Sequence, residues 1–326
     1  MRVAIIGSKS FDSLEYHLQD TLTCQGYNAK IFDFLNALPA KLDFGLTKLS
    51  AKYEKWKNTS LLERVIQYKP DLVIGVYRNI HPLVVREIKV QKIKIIHINP
   101  DALTTFQNQQ LFVEPYDAYF TKDPYMKGFM EKKLDFNVFL YQEAFNPRVH
   151  KKPEGDFMAI ENEVGIDVLN FGNLYPYRNR MLKVLKENDI DITLYGFKAR
   201  YFDESLNENF QNRGIFGEEK SRILNGSKIV FNNFHYAEIE SVNNKFFEIT
   251  GSGAFQICDY KPILNDLLPI DPKLVSFETI DEAIEMIKYY LKNPEERWEL
   301  RDKLTKYFNE NYTYENMINN IFRKIV

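Results

Sequence analysis

Short apolar runs of strand length alternate with longer stretches of mixed polarity along most of this chain. Runs at residues 3–6, 30–34, 72–76, 93–98, 118–120 and 138–141 read as buried strands, and residues 13–25, between the first two, read as a helix. Apolar runs that do not alternate suit strands covered on both faces, so this region predicts a parallel sheet packed between helices. A second set follows at residues 168–171, 192–195, 228–231 and 254–258, with the same implication.

Between the two sets, residues 146–164 are polar and charged and contain Pro147, Pro153 and Gly155, which makes them the expected linker. The boundaries predicted are 1–145 for a first domain and 165–311 for a second. Near the end, Asn293, Pro294 and Glu296 have the composition of a capped helix start. Met317, Ile318, Ile321, Phe322 and Ile325 then form an apolar helical stripe in residues 312–326.

Composition narrows the class. With 326 residues, 44% of them apolar, the chain can bury two cores of ordinary size. Lys and Arg total 43 against 45 Asp and Glu, so no overall field draws it to nucleic acid. Cys24 and Cys258 are far apart, and one falls in a predicted core strand, which argues for a reducing compartment. No segment approaches the roughly 20 apolar residues that span a bilayer. A cytoplasmic protein is expected, and attachment to the inner membrane surface stays open.

The densest chemistry lies in residues 240–259. Phe246, Phe247 and Ile249 supply the buried side of a helix, Gly251 and Gly253 its stop, and residues 254–258 a buried strand. On a helix running through this segment, eight steps of about 100° leave Glu240 and Glu248 roughly 80° apart, with Lys245 between them in sequence. Two acids and a base suit a ligand that offers both hydroxyls and a diphosphate. Upstream, the segment from Gly172 through Asn173 to Arg178 follows a strand and opens a helix, with Pro176 in its first turn. Free backbone donors at such a helix start make an anion site.

The segment Asn243-Asn-Lys245-Phe-Phe-Glu248, followed by Gly253-Ala-Phe-Gln-Ile-Cys-Asp259-Tyr260, resembles the signature region of GT-B-type nucleotide-sugar glycosyltransferases, most closely the CgeB-like (spore-maturation) branch. Residues 227–232, 289–297 and 312–314 extend the resemblance through the C-terminal half. It implies two Rossmann-like α/β domains facing each other across a cleft, with the final helix crossing back to the first domain. It also implies transfer of a sugar from a nucleoside-diphosphate sugar to an acceptor hydroxyl of a glycan, lipid-linked or protein acceptor. On this resemblance Arg178 stands where a diphosphate-binding lysine is usual, Asn173 where an arginine is usual, and Lys245 replaces another arginine. Glu248 would take the ribose hydroxyls and Glu240 the transferred sugar, with Glu238 a neighbour easily confused with it. Gly172, Arg180, Tyr195 and Asn243 complete the expected donor set, and Tyr175, Tyr177 and Tyr195 are candidates to stack on a ring.

The first domain is expected to carry the acceptor. His97 and Asp101 end a predicted strand, where ligands of open parallel sheets collect, and either could act as general base. Ser8, Ser10 and His17 belong to the same expected mouth. Gly7 ends the first strand, but the Gly-x-Gly-x-x-Gly fingerprint is absent. His17, His81, His97, His150 and His235 show no paired ligand spacing, so neither a metal nor another cofactor is expected. Two rival readings remain: an epimerase acting on the nucleotide sugar without an acceptor, and a binding module without turnover.

Overall fold

A computed structural model describes residues 1–34, 38–101 and 109–325. The chain divides into two compact units, Met1–Gln142 with Tyr314–Val326, and Glu143–Thr313.

In the first unit, β1 (Arg2–Ile6), α1 (Leu14–Cys24) and β2 (Asn28–Phe32) are followed by α2 (Ala40–Leu49), α3 (Ala51–Gln67), β3 (Leu72–Gly75) and α4 (Pro82–Val90). Then come β4 (Lys94–Asn99), β5 (Ala118–Thr121), α5 (Pro124–Leu134) and β6 (Val138–Leu140). The strands lie in the order β2-β1-β3-β4-β5-β6, and every pair is parallel. Their side chains are buried almost throughout β1, β3, β4 and β5, as a sheet covered on both faces requires.

The second unit contains α6 (Phe157–Val164), β7 (Ile166–Leu174), α7 (Pro176–Glu187), β8 (Ile192–Lys198), α8 (Gly217–Gly226), β9 (Ser227–Asn232) and α9 (Asn244–Gly251). After these come β10 (Gln256–Asp259), α10 (Leu264–Leu267), β11 (Ser276–Phe277), α11 (Ile280–Lys292) and α12 (Pro294–Asn311). This sheet runs β11-β10-β9-β7-β8, again parallel. The final helix, α13 (Tyr314–Ile325), belongs to the first unit and packs on α1. Tyr314, Met317, Ile318 and Ile321 are its buried stripe, and Gln25 donates to Asn319 Oδ1 at 3.3 Å.

The expected linker at 146–164 is only partly a connection, because residues 157–164 form helix α6. Phe157, Ile160 and Val164 recur at helical spacing, and α6 packs against α8 so closely that a Cβ at Gly226 would run into Val164. Glu161 of α6 accepts from Arg297 Nη2 at 2.6 Å, Arg301 Nη1 at 3.2 Å and Trp298 Nε1 at 3.1 Å. Arg301 also donates to Asn225 Oδ1 at 2.7 Å and to the Gly253 carbonyl. These buried charges tie α6, α8 and α12 into one body, and burial lowers the Arg301 pKa to about 10. Strand β11, two residues long, was not expected from sequence; so short a pairing leaves no periodicity to read.

Candidate active site

In the second sheet β7 is flanked by β8 on one side and β9 on the other, so the chain reverses its direction of travel there. Crevices at the carboxyl ends of parallel strands form at such a switch point, because the two crossovers lead to opposite sides. Arg178, Lys245 and Glu248 converge there.

Gly172 has φ +102°, a conformation that L side chains rarely adopt, and a Cβ on it would collide with Lys245 Nζ and stand 3.8 Å from Arg178 Nη1. The glycine therefore lets two cations close over the end of β7. Arg178, in the first turn of α7 and only 6% exposed, donates from Nε to Asn233 Oδ1 at 2.9 Å and from Nη1 to the Asn173 carbonyl at 2.8 Å. Its Nη2 reaches the Asn233 carbonyl at 3.1 Å, so three of its five donors are committed to holding it in place. Lys245, in the first turn of α9, donates to the Phe171 carbonyl at 2.5 Å, with Nζ 4.6 Å from the Phe171 ring centre. Burial, and then the neighbouring Arg178 charge, push its pKa well below the ordinary lysine value. Two desolvated cations set beside two helix N-termini form a site that an anion would stabilise.

Glu248 follows Lys245 by one turn and is buried. It accepts from Asn244 Nδ2 at 2.6 Å and from Lys220 Nζ of α8 at 3.3 Å. Lys220 Nζ lies 3.3 Å from His150 Nε2, and His150 Nδ1 accepts the Asn146 N–H at 3.1 Å. Asp259, at the end of β10, accepts from the Phe234 N–H. Burial raises its pKa to about 6 against the opposing pull of that N–H and of Lys261. One strand over from Gly172, Asn173 pairs in register with Phe197, which is 59% exposed. Phe216, 55% exposed at the start of α8, stands beside the same Gly214 that Phe197 approaches. Cations, a buried carboxylate and two open aromatic rings thus line one rim.

The strand orders, the parallel pairing in both sheets and the placement of this crevice can be set beside solved structures. The sucrose-phosphate synthase from Thermosynechococcus elongatus matches at a TM-score of 0.71, with 12% identity over 99% of this chain and 98% of that one. HepE from Anabaena, solved with UDP-glucose, matches at 0.67 with 11% identity over 100% and 99%. The lipopolysaccharide outer core galactosyltransferase WaaB gives 0.64 with 12% identity over 100% and 99%. The chain has the GT-B fold. Residues 178–323 also match the family model described as Glycosyl transferase-like. Among curated proteins no match is found.

Within this GT-B chain, the donor-side residues named from sequence divide into four groups. Gly172, Asn173, Arg178, Lys245 and Glu248 are brought to one rim. Asn243 stands behind it as the N-cap of α9: its Oδ1 accepts the Phe246 N–H at 3.0 Å, and its amide exchanges hydrogen bonds with Asn232. Arg180 is exposed, two residues and about 200° around α7 from Arg178. Tyr195 packs in the core, with the Arg213 guanidinium 5.1 Å from its ring centre, and is not an open stacking face.

Glu240 is not on a helix with Glu248, which corrects the helical spacing drawn from sequence. Helix α9 begins at Asn244, and residues 233–243 form a loop whose backbone is held from outside. Asp259 takes the Phe234 N–H, while Lys261 Nζ donates to the carbonyls of Glu238 at 2.7 Å and Ile239 at 3.0 Å. Glu240 is half-buried in that loop and Glu238 is buried.

In the first unit the switch point lies between β1 and β3. Ser8 and Ser10 meet there, Oγ to Oγ at 2.8 Å, and Glu15 accepts the Ser8 N–H at 2.7 Å. Gly7 leaves room for that carboxylate, since a Cβ there would overlap it. Asp101 is exposed beyond β4 and pairs with Arg78 at 3.3 Å. His97 departs from its expected place at the mouth: it is 1% exposed inside the sheet core, next to Tyr116, with Nε2 3.2 Å from the Tyr77 carbonyl. Burial lowers its pKa to about 4, so it is neutral at physiological pH. His17 is also buried, 3.1 Å from Asp12 and 4.9 Å from the Tyr314 ring centre.

Sequence reading missed Asn233, Lys220, His150 and Asp259 as parts of the constellation. Asn233 and Asp259 each end a predicted strand, which is a usable signal. Lys220 and His150 carry none, since one is a lysine on a charged helix and the other an isolated histidine.

Proposed function

We propose that this chain is a glycosyltransferase that takes a sugar from a nucleoside-diphosphate donor held in the second unit. The observation that carries the reading is the buried Arg178 and the half-buried Lys245 closing over Gly172 at the β7–β9 switch point. An isolated buried cation is costly, and two beside each other are worse, so a site that keeps both is arranged for a multiply charged anion. A diphosphate fits that charge. Glu248, one turn from Lys245, is an acceptor suited to ribose hydroxyls, and Phe197 with Phe216 offers faces for a base.

In the reaction, the bond between the anomeric carbon and the diphosphate oxygen breaks while a bond to the acceptor oxygen forms. Negative charge grows on the leaving diphosphate, where Arg178, Lys245 and the N-termini of α7 and α9 stabilise it without rearranging. These cations support a reaction that needs no divalent ion. Of the two bases named in the first unit, Asp101 is open to solvent and His97 is not, which favours Asp101 for the acceptor proton. HepE, a structural neighbour, was solved with UDP and with UDP-glucose, and this supports a nucleotide-sugar donor here. The Asn243–Glu248 segment supports placement in the CgeB-like branch.

Calorimetric titration of the purified chain with UDP-, GDP- and ADP-sugars tests the donor assignment. Micromolar or tighter binding of one of them, abolished by Arg178→Ala, is expected. No binding to any nucleotide sugar would sink the reading. Mass analysis of products then separates a new glycoside from an isomerised or unchanged donor.

A further inference from the structure

Helix α2 and the first turns of α3 carry apolar side chains that the first unit's core does not use. Leu42, Leu46 and Leu49 are 59%, 39% and 87% exposed, and steps of four and three residues keep them within about 60° on one face of α2. Trp56 is 50% exposed on α3, which packs against α2, and Lys52 and Lys55 are exposed beside it. Lys48 is exposed next to Leu49. Single exposed apolar residues are ordinary, but three on one face of α2, with a fourth on the helix packed against it, are more than that.

The exposed charge around that patch is mainly positive, carried by Lys48, Lys52 and Lys55. Residues 40–57 hold five lysines against Asp43 and Glu54, in a chain whose net charge is −2. Asp43 is engaged locally, with Lys57 Nζ at 2.5 Å and the Tyr53 hydroxyl at 2.8 Å, and Glu54 is half-buried. The outward charge beside the leucines is therefore positive.

We propose that this helix pair docks on an anionic lipid surface, lying in the plane of the interface. Leucines with a tryptophan suit the acyl boundary, and lysines with long apolar stems reach back to anionic headgroups. Ten residues are too few for α2 to span a bilayer, so the contact is peripheral. The surface lies in the first unit and shares no residue with the donor site, so it stands or falls without the nucleotide-sugar reading.

Co-sedimentation of the full chain with phosphatidylcholine vesicles, with and without phosphatidylglycerol, is the test. Binding is expected only with the anionic lipid and weaker at high salt. The triple variant Leu42→Ser, Leu49→Ser and Trp56→Ser should lower the partition coefficient about 100-fold while leaving the unfolding midpoint in place, because all three side chains are exposed. Lys52→Glu with Lys55→Glu is a second variant that leaves the leucines intact, and it should lower partitioning at least about tenfold. Brominated lipid should quench Trp56, a signal lost in Trp56→Phe. Three results would overturn the proposal: no binding to anionic vesicles at low salt, binding indifferent to both variants, or a lipid-independent dimer that the triple variant converts to monomer.

Discussion

The two sheets have the same parallel construction and each has a switch point, yet their mouths are furnished differently. At the β7–β9 end, Arg178 and Glu248 are buried and Lys245 and Asp259 half-buried, all held by named backbone or side-chain partners. At the β1–β3 end stand two serine hydroxyls and Glu15, with Asp101 exposed nearby and the imidazole of His97 withdrawn into the core. A fold therefore supplies the crevice, and the desolvated charges decide which crevice can hold a highly charged ligand. Carbonyl and amide partners already offset part of the cost of burying Arg178 and Lys245, and the first unit's mouth has no comparable pair among the described residues.

The sharpest way to break this contrast is to remove the cations. Arg178→Ala and Lys245→Ala should each weaken nucleoside-diphosphate binding about 100-fold by calorimetry, in line with the several kcal/mol lost when one partner of a buried charge contact is deleted. Arg178→Lys should not recover it, since an ammonium cannot span the Asn233 and Asn173 contacts. Gly172→Ala comes next. It forces a side chain into a left-handed backbone position and into Lys245, and should cost about tenfold in nucleotide affinity together with about 1–3 kcal/mol of stability by denaturant titration.

A pH measurement sharpens the comparison further, because the two buried titrating groups act in opposite senses. His97 has a folded pKa near 4, below its unfolded value of about 6.5, so its contribution to stability is present above pH 6.5 and lost as pH falls toward 4. Asp259 has a folded pKa near 6, above its unfolded value of about 3.9, so it favours the fold below pH 4 and loses that advantage as pH rises through 6. Unfolding titrations from pH 4 to 7 should show a shallower acid loss in His97→Gln and a steeper one in Asp259→Asn. Equal slopes in both variants and the parent would refute the burial argument for each. The smallest effect is expected from Ser8→Ala with Ser10→Ala or from Asp101→Asn, which should leave donor affinity within about twofold while product formation is measured separately. Chelation of divalent ions should leave donor binding unchanged.

Periodicity was enough for most of the architecture. All six strands of the first sheet and four of the second were legible as apolar runs, because a strand buried on both faces must be apolar at nearly every position. Turn chemistry made the opening of α7 at Pro176 legible, whereas Gly172, expected to follow the strand, lies within β7, which runs on to Leu174. Resemblance added Lys245 and Glu248 to the same rim. Composition misled at residues 157–164, where charged positions hide an i, i+3, i+7 apolar stripe and Glu161 is buried against two arginines. The run from Glu240 to Glu248 misled for a different reason. Asn243, as N-cap, starts the helix after Glu240, and Asp259 and Lys261, remote in sequence, hold the loop before it.

By itself, then, the sequence determined where apolar surface must be covered, and hence two parallel sheets and the helix stripes that cover them. Burial of individual polar groups was decided by the tertiary structure alone. His97 and Tyr195 look like site residues in one dimension and are core residues in three, while Asn233, Lys220 and His150 look ordinary and stand among the charges. The reason is physical: hydrophobic patterning is a property of consecutive residues, whereas desolvation and hydrogen bonding depend on which distant side chains arrive at the same point.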